Sequence, residues 1–271
     1  MPSEATHMSI SKAQSEWVSG DAYEPYVGRW SRLIAREFLS WLKPPHNVSW
    51  LDVGCGTGAL SQTILELTEH SVVQGIDQSD DYVQYARKQV NDTRAKFDQG
   101  DASNLPFPDN SFDHVVSGLA INFMPEGAVA EMARVARSDG TVAVYVWDYA
   151  GQMQMMRYFW HAAVQLDPGV EALDEGNRFP ICNEIPLRQL FQNSGLRNVE
   201  SRAIDVPTVF GSFDDYWTPF LGGQGPAPSY AMSLGENQRT ELRELIRSLL
   251  PIKADGSIEL IARAWAVRGK R

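Results

Sequence analysis

The segment Leu51-Asp52-Val53-Gly54-Cys55-Gly56-Thr57-Gly58 constrains this chain more than any other. An apolar strand end runs into glycines at every second position and then into a stretch patterned as a helix. Glycine has no Cβ, so such a turn takes up left-handed torsions and presses its backbone against a ligand, while the first amides of the next helix offer donors. The spacing narrows the ligand. A dinucleotide fingerprint reads G-x-G-x-x-G, with a helix N-terminus aimed at a pyrophosphate. Here the glycines fall at 54, 56 and 58 behind the acidic Asp52, which suits a nucleotide-type ligand without phosphate.

Two further strand ends follow in order. Ser71-Val72-Val73-Gln74-Gly75-Ile76-Asp77 reads as a strand closing on a carboxylate. In α/β nucleotide folds that position holds the acid that accepts both ribose hydroxyls, each such bond being worth about 1.5–3 kcal/mol. Then come Gly100-Asp101-Ala102-Ser103-Asn104-Leu105-Pro106-Phe107, the turn Asp109-Asn110-Ser111-Phe112-Asp113 and the apolar run His114-Val115-Val116-Ser117. An Asp side chain accepts from an exocyclic amine and a neighbouring backbone amide donates to a ring nitrogen, which is what recognition of adenine requires.

The strings LDVGCGTG, GIDQS, GDASNLPFPDNSFDHVVSGLAINF and ARVARSDGTVAVYVW together resemble the class I S-adenosylmethionine-dependent methyltransferases, in particular small-molecule enzymes of the ubiquinone/menaquinone-biosynthesis type. The resemblance covers about residues 20–150 and is more specific for the cofactor than for the methyl acceptor. It implies an α/β fold, a Rossmann-like doubly wound seven-stranded sheet with helical cap insertions, whose last strand inserts antiparallel beside the fifth. It implies S-adenosyl-L-methionine as cofactor and S-adenosyl-L-homocysteine as product. By the same resemblance Gly54 and Gly56 approach the methionine part, Asp77 the ribose, Asp101 and Ala102 the adenine, and Ser117 the far side. Asp52, Cys55, Gln78 and Gly100 complete this set, Cys55 through its backbone. Arg29 would pair with the cofactor carboxylate, and Trp30 is the aromatic of the covering segment.

A chain of 271 residues, 43% hydrophobic and 21% charged, buries a substantial core. A formal net charge of −10 argues against a nucleic acid partner. No apolar run reaches the eighteen or so residues of a membrane span, and the polar start lacks the apolar core of a secretory signal, so a cytoplasmic location is expected. Two cysteines, Cys55 and Cys182, provide neither a disulfide framework nor a four-thiol metal site, and no metal site is expected from the histidine spacing. The partner expected is a small-molecule acceptor, with the protein a monomer or a homodimer.

Alternation of period organises the rest. Residues 1–18 read as a flexible tail and 19–271 as one domain opened by an N-terminal lid at 19–45, where Ser31 is expected to cap a helix stopped by Pro44-Pro45. Helices are predicted near 58–69, 79–91, 126–137, 152–165 and 186–194. Strands are predicted near 71–77, 94–99, 112–117, 140–148, 197–206 and 257–267, the alternation of a parallel doubly wound sheet. Two insertions, 149–185 and 207–255, form the expected substrate cap. Tyr23, Asn122, Trp147, Trp160 and Tyr216 are the expected acceptor pocket, although helically spaced aromatics also serve as core. A general base is optional for methyl transfer; Tyr23 and His161 are the candidates. Two alternatives stay open: a nicotinamide-dependent oxidoreductase, disfavoured by the missing G-x-G-x-x-G, and a non-catalytic S-adenosylmethionine-binding partner protein.

Overall fold

The computed structural model describes residue 26, residues 28–222 and residues 225–271. The elements follow as α1 (Arg29–Leu42), β1 (Ser49–Val53), α2 (Ala59–Leu67), β2 (Val72–Asp77), α3 (Asp80–Gln89), β3 (Ala95–Gln99), β4 (Phe112–Gly118), α4 (Ala128–Val135) and β5 (Ala136–Trp147). Then come α5 (Gln154–Leu166), α6 (Glu175–Arg178), α7 (Glu184–Asn193), β6 (Arg197–Phe210), α8 (Phe213–Trp217), α9 (Pro226–Ser233), α10 (Glu236–Leu249) and β7 (Ile258–Lys270). The strands form one seven-stranded sheet in the order β3-β2-β1-β4-β5-β7-β6. β1 pairs parallel with β2 and β4, and β4 with β5, while β7 runs antiparallel to β5 from Thr141↔Lys270 to Trp147↔Ala264. The doubly wound seven-stranded sheet expected from the sequence is therefore the one observed.

Two compact units make up the chain. A sheet unit comprises Trp30–Asp148, Pro180–Asp205 and Arg263–Arg271; a helical unit comprises Tyr149–Phe179 and Val206–Ala262, with Tyr26, Gly28 and Arg29. In the sheet unit the central strands are near-continuous apolar runs, as strands covered on both faces must be. Trp50, Leu51 and Val53 of β1, Val115 and Val116 of β4, and Val142, Ala143 and Val144 of β5 are all buried. α1 turns Trp30, Ile34, Phe38 and Leu42 to one side at four-residue spacing, and Phe38 meets Tyr145 of β5 with ring centroids 4.7 Å apart. Its buried stripe begins at Trp30, so the helix starts two residues before the cap expected at Ser31, which is itself buried. α3 does begin at its cap: the Ser79 hydroxyl accepts from Tyr82 N at 3.4 Å, with Asp80 and Asp81 in the first turn and Arg87 and Lys88 in the last.

Three strands are longer than expected. β5 starts at Ala136, four residues early, because Ala136 pairs with Phe112 across a register shift and Arg137 ion-pairs with Asp113. β6 continues through Phe210, past the point where an insertion was expected, because Ile204, Val206, Thr208 and Phe210 keep a period of two on its buried side. β7 runs on to Lys270, whose ammonium donates to Thr141 Oγ1 at 2.9 Å.

The helical unit is built on rings. Phe159 stacks on Phe220 at 4.5 Å, and Tyr26 and Tyr216 each lie 5.4 Å from the same Phe220 ring. Aromatic pairs of this kind contribute about 0.5–1.5 kcal/mol each beyond the area they bury. The buried Tyr216 hydroxyl donates to Met155 O at 2.7 Å. No described helix is long and apolar enough to cross a membrane.

Candidate cofactor site

Every expected contact of the glycine loop, of Asp77, of the Gly100–Ala102 segment and of Ser117 lies in the sheet unit, at the carboxyl ends of β1, β2, β3 and β4. Gly54, Gly56 and Gly58 have φ of 71°, 51° and 84°, where a side chain costs about 1–2 kcal/mol per residue. At Gly54 there is no room either: a Cβ would lie 2.6 Å from Met124 Cε and 2.7 Å from Ala120 Cβ. The loop is tied to the neighbouring strand end by Gly54 N and Cys55 N, which donate to Ile76 O at 2.7 and 3.0 Å. Cys55 is buried, and its backbone N–H is part of this tie.

Asp77 ends β2 with both oxygens oriented by backbone: Gly56 N donates to Oδ2 and Ser79 N to Oδ1, each at 2.9 Å. A carboxylate has about four lone-pair positions, so both oxygens retain acceptor capacity. Burial raises its pKa against the pull of these amides. Asp52 lies deeper, 1% exposed, with Oδ2 accepting from Ser61 Oγ at 2.7 Å. Burial pushes this carboxyl up to about 7, the Ser61 hydrogen bond opposing and the charge of Asp77 adding to the shift.

The adenine end has the expected turn. Gly100 N donates to Asp77 O at 3.0 Å, and a Cβ on Gly100 would meet Ile76 at 3.0 Å. Asp101 is exposed, its Oδ1 accepting from Ser103 N and Ser103 Oγ at 2.8 Å, which lowers its pKa; Ala102 lies in the same turn. Gln78 follows Asp77, its carbonyl accepting from Gln99 Nε2 at 2.9 Å.

Four polar atoms at or just beyond the strand ends are buried and have no partner among the described residues: Asp52 Oδ1, Ser117 Oγ, Asn122 Nδ2 and Trp147 Nε1. An unsatisfied buried polar group costs about 1–3 kcal/mol. Orphans gathered at the ends of β1, β4 and β5, beside a loop that excludes side chains, are the mark of a site whose partners come with a polar ligand. The residues present therefore fit S-adenosylmethionine, a ligand with an amino acid part, a ribose and an adenine.

Other expected site residues are placed differently. Arg29 belongs to the helical unit, and its carboxylate partner there is Asp215, Nη1 to Oδ1 at 2.9 Å. Nη2 donates to Val209 O at 3.0 Å, and the guanidinium lies 5.0 Å over the Phe210 ring. Trp30 lies on the buried stripe of α1. Tyr216 is fully buried in the aromatic core of the helical unit; Trp160 is equally buried and stands in the lining of a cavity on α5. His161 is exposed, its Nε2 2.8 Å from Gln165 Nε2. Tyr23 lies outside the described residues.

One group was missed. Glu175 of α6 is 2% exposed, accepts from Trp160 Nε1 through Oε2, and leaves Oε1 buried without a partner. Burial pushes its carboxyl up to about 7. In sequence it stands in Leu173-Asp174-Glu175-Gly176-Asn177, which reads as a solvated turn; no local signal marks the carboxyl as interior.

Comparison with known proteins agrees with this geometry. A methyltransferase-domain family model matches residues 51–144, from the glycine loop into β5. The 2-methyl-6-phytyl-1,4-hydroquinone methyltransferase of Synechocystis is 32% identical over 244 residues, covering 80% of this chain and 75% of the relative. The sterol 24-C-methyltransferase erg6 of Schizosaccharomyces pombe is 33% identical over 139 residues, 49% of this chain. The chain spans about a third of the length of the sterol methyltransferases it matches. Among solved structures, the fold is similar to Haemonchus contortus phosphoethanolamine N-methyltransferase 2 in complex with S-adenosyl-L-methionine, with a TM-score of 0.55 and 16% identity over 88% of this chain and 52% of that one. The chain belongs to the class I S-adenosylmethionine-dependent methyltransferases.

Proposed function

We propose that this protein transfers a methyl group from S-adenosylmethionine to a small organic acceptor. The observation that carries the reading is the strand-end constellation of the sheet unit: the turn with left-handed Gly54 and Gly56, the backbone-oriented Asp77 carboxylate and the orphaned Asp52 Oδ1 and Ser117 Oγ. Bound there, the cofactor supplies an electrophilic methyl on a positively charged sulfur. Gly54 and Gly56 admit its methionine part to backbone distance, Asp77 accepts from the ribose hydroxyls, and Asp101 with the Ala102 amide recognises the adenine. Ser117 closes the far side with a hydroxyl that has no protein partner. The residues contribute orientation and exclusion of water, and positioning of this kind accounts for roughly 7–11 kcal/mol of a barrier.

The acceptor is a small molecule in this reading. The relatives' names specify a sterol and a hydroquinone, and a net charge of −10 opposes nucleic acid. A cytoplasmic location belongs to the same proposal and is supported by two buried free thiols, Cys55 and Cys182. Calorimetric titration with S-adenosylhomocysteine tests the reading first. We expect micromolar binding by the wild type and at least a tenfold loss in Asp77→Ala; a folded wild type that binds nothing at millimolar ligand would sink it. Labelled methyl transfer to a panel of phenols, amines and sterols then tests turnover.

A further inference from the structure

The helical unit holds a cavity of about 700 Å³ that none of the strand-end residues lines. One wall is a single face of α5: Arg157, Tyr158, His161, Val164 and Gln165 recur at the spacing of helical turns. The opposite wall is the 171–177 turn with Glu171, Asp174 and Asn177, and Leu249 of α10 closes the apolar end. A cavity of this size suits one small organic molecule, and its mixture of apolar and polar groups is that of a ligand site.

Its charges favour one class of ligand. Arg157, the one Lys or Arg among the described lining residues, pairs through Nη2 with Asp174, its buried Nε having no partner among the described residues; Asp174 also accepts from Gly176 N at 2.8 Å. Glu171 is thereby left as excess negative charge in the wall. The cavity also reaches the C-terminal turns of the 13-residue helix α5, where His161, Val164 and Gln165 lie and where the last turn contains no basic side chain. A helix C-terminus carries about half a negative charge and favours a cation by about 0.3–1 kcal/mol. Beside it, the half-buried Tyr158 ring offers a π-face to an ammonium group. Trp160, also in the lining, is held by Glu175 through its indole N–H.

We propose that this cavity binds a small ring compound bearing an amine, with Glu171 and the C-terminal turn of α5 receiving the ammonium and Tyr158, Val164 and Leu249 receiving the ring. The assignment goes beyond the methyl-transfer reading and does not rest on it, because the two sites share no residue. The test is calorimetry on the full chain with three probes of like shape: 2-phenylethylamine, 2-phenylethanol and 3-phenylpropionate. The amine is expected to bind, the alcohol at least tenfold more weakly and the acid weakest, with the preference for the amine shrinking at high salt. Val164→Trp, which places an indole where the ring is to sit, is expected to weaken amine binding at least tenfold, and the surface change Glu171→Gln to weaken it severalfold. An amine that fails to bind the folded wild type at millimolar concentration, that binds no better than the alcohol, or that is unaffected by both variants overturns the proposal. S-adenosylhomocysteine binding in the same samples reports the strand-end site separately.

Discussion

The strand-end loops of the sheet unit and the aromatic interior of the helical unit solve opposite problems. At Gly54, Gly56 and Gly58 the backbone itself forms the recognition surface, so side chains are excluded by torsion and, at Gly54, by the atoms of Met124 and Ala120. In the helical unit the rings of Phe159, Trp160, Tyr216 and Phe220 form the structure, and polar groups are enclosed within it. A backbone site is written locally in the chain. A ring core depends on which residues, distant in sequence, come to share one interior.

The largest effect that would break this contrast is expected at Gly54. Gly54→Val places a branched side chain at φ 71°, into atoms 2.6 and 2.7 Å from its Cβ. Loss of S-adenosylhomocysteine affinity by more than a hundredfold is expected, with destabilisation of about 1–3 kcal/mol from overpacking. Unchanged calorimetric affinity would mean that the loop is not the recognition surface.

The two carboxyls held near 7, one in each unit, sharpen the comparison next. Asp52 and Glu175 are acids whose folded pKa lies above the unfolded values of about 3.9 and 4.3. The folded state therefore binds their protons more tightly. Each leaves stability untouched below pH of about 4 and erodes it as pH rises towards 7, by up to about 1.4 kcal/mol per pH unit, levelling off above. Chemical denaturation across pH 4–8 should show a slope that flattens in part in Asp52→Asn and in part in Glu175→Gln. Only the Asp52 change is expected to alter cofactor affinity as well.

Smaller effects are expected at two groups of the helical unit. Tyr216→Phe removes the donor to Met155 O and should cost about 1 kcal/mol in a urea melt, with S-adenosylhomocysteine binding unchanged. Arg29→Ala breaks an ion pair whose side chains are 28% and 39% exposed, worth about 0.2–1 kcal/mol at such sites. A tenfold loss of cofactor affinity in Arg29→Ala, beyond that small change in stability, would bear out the cofactor role expected for Arg29 from the sequence.

Much of the sheet unit was legible in the chain. Gly54, Asp77, Gly100 and Asp101 each sit at the junction of an apolar run with a turn, and that junction is a property of a few consecutive residues. The parallel order of the sheet followed from strands alternating with helices. The ends of β5 and β7 were not legible, because they depend on partners across the sheet: Phe112 for Ala136, and Thr141 for Lys270. The Arg29–Asp215 pair was not legible either, because the two residues lie 186 positions apart and no local pattern joins them.

By itself, then, the amino-acid sequence determined the glycine turn, the acidic strand end, the adenine-type turn and the alternation that makes a doubly wound sheet, because torsional freedom and periodicity are local physics. Tertiary structure alone decided that Trp160 and Tyr216 would be core, that Glu175 would be an interior acid and that a cavity would open along one face of α5. Burial is a property of the assembled interior: the same carboxyl that reads as a solvated turn in the chain becomes a group near pH 7 once rings from α5 close over it.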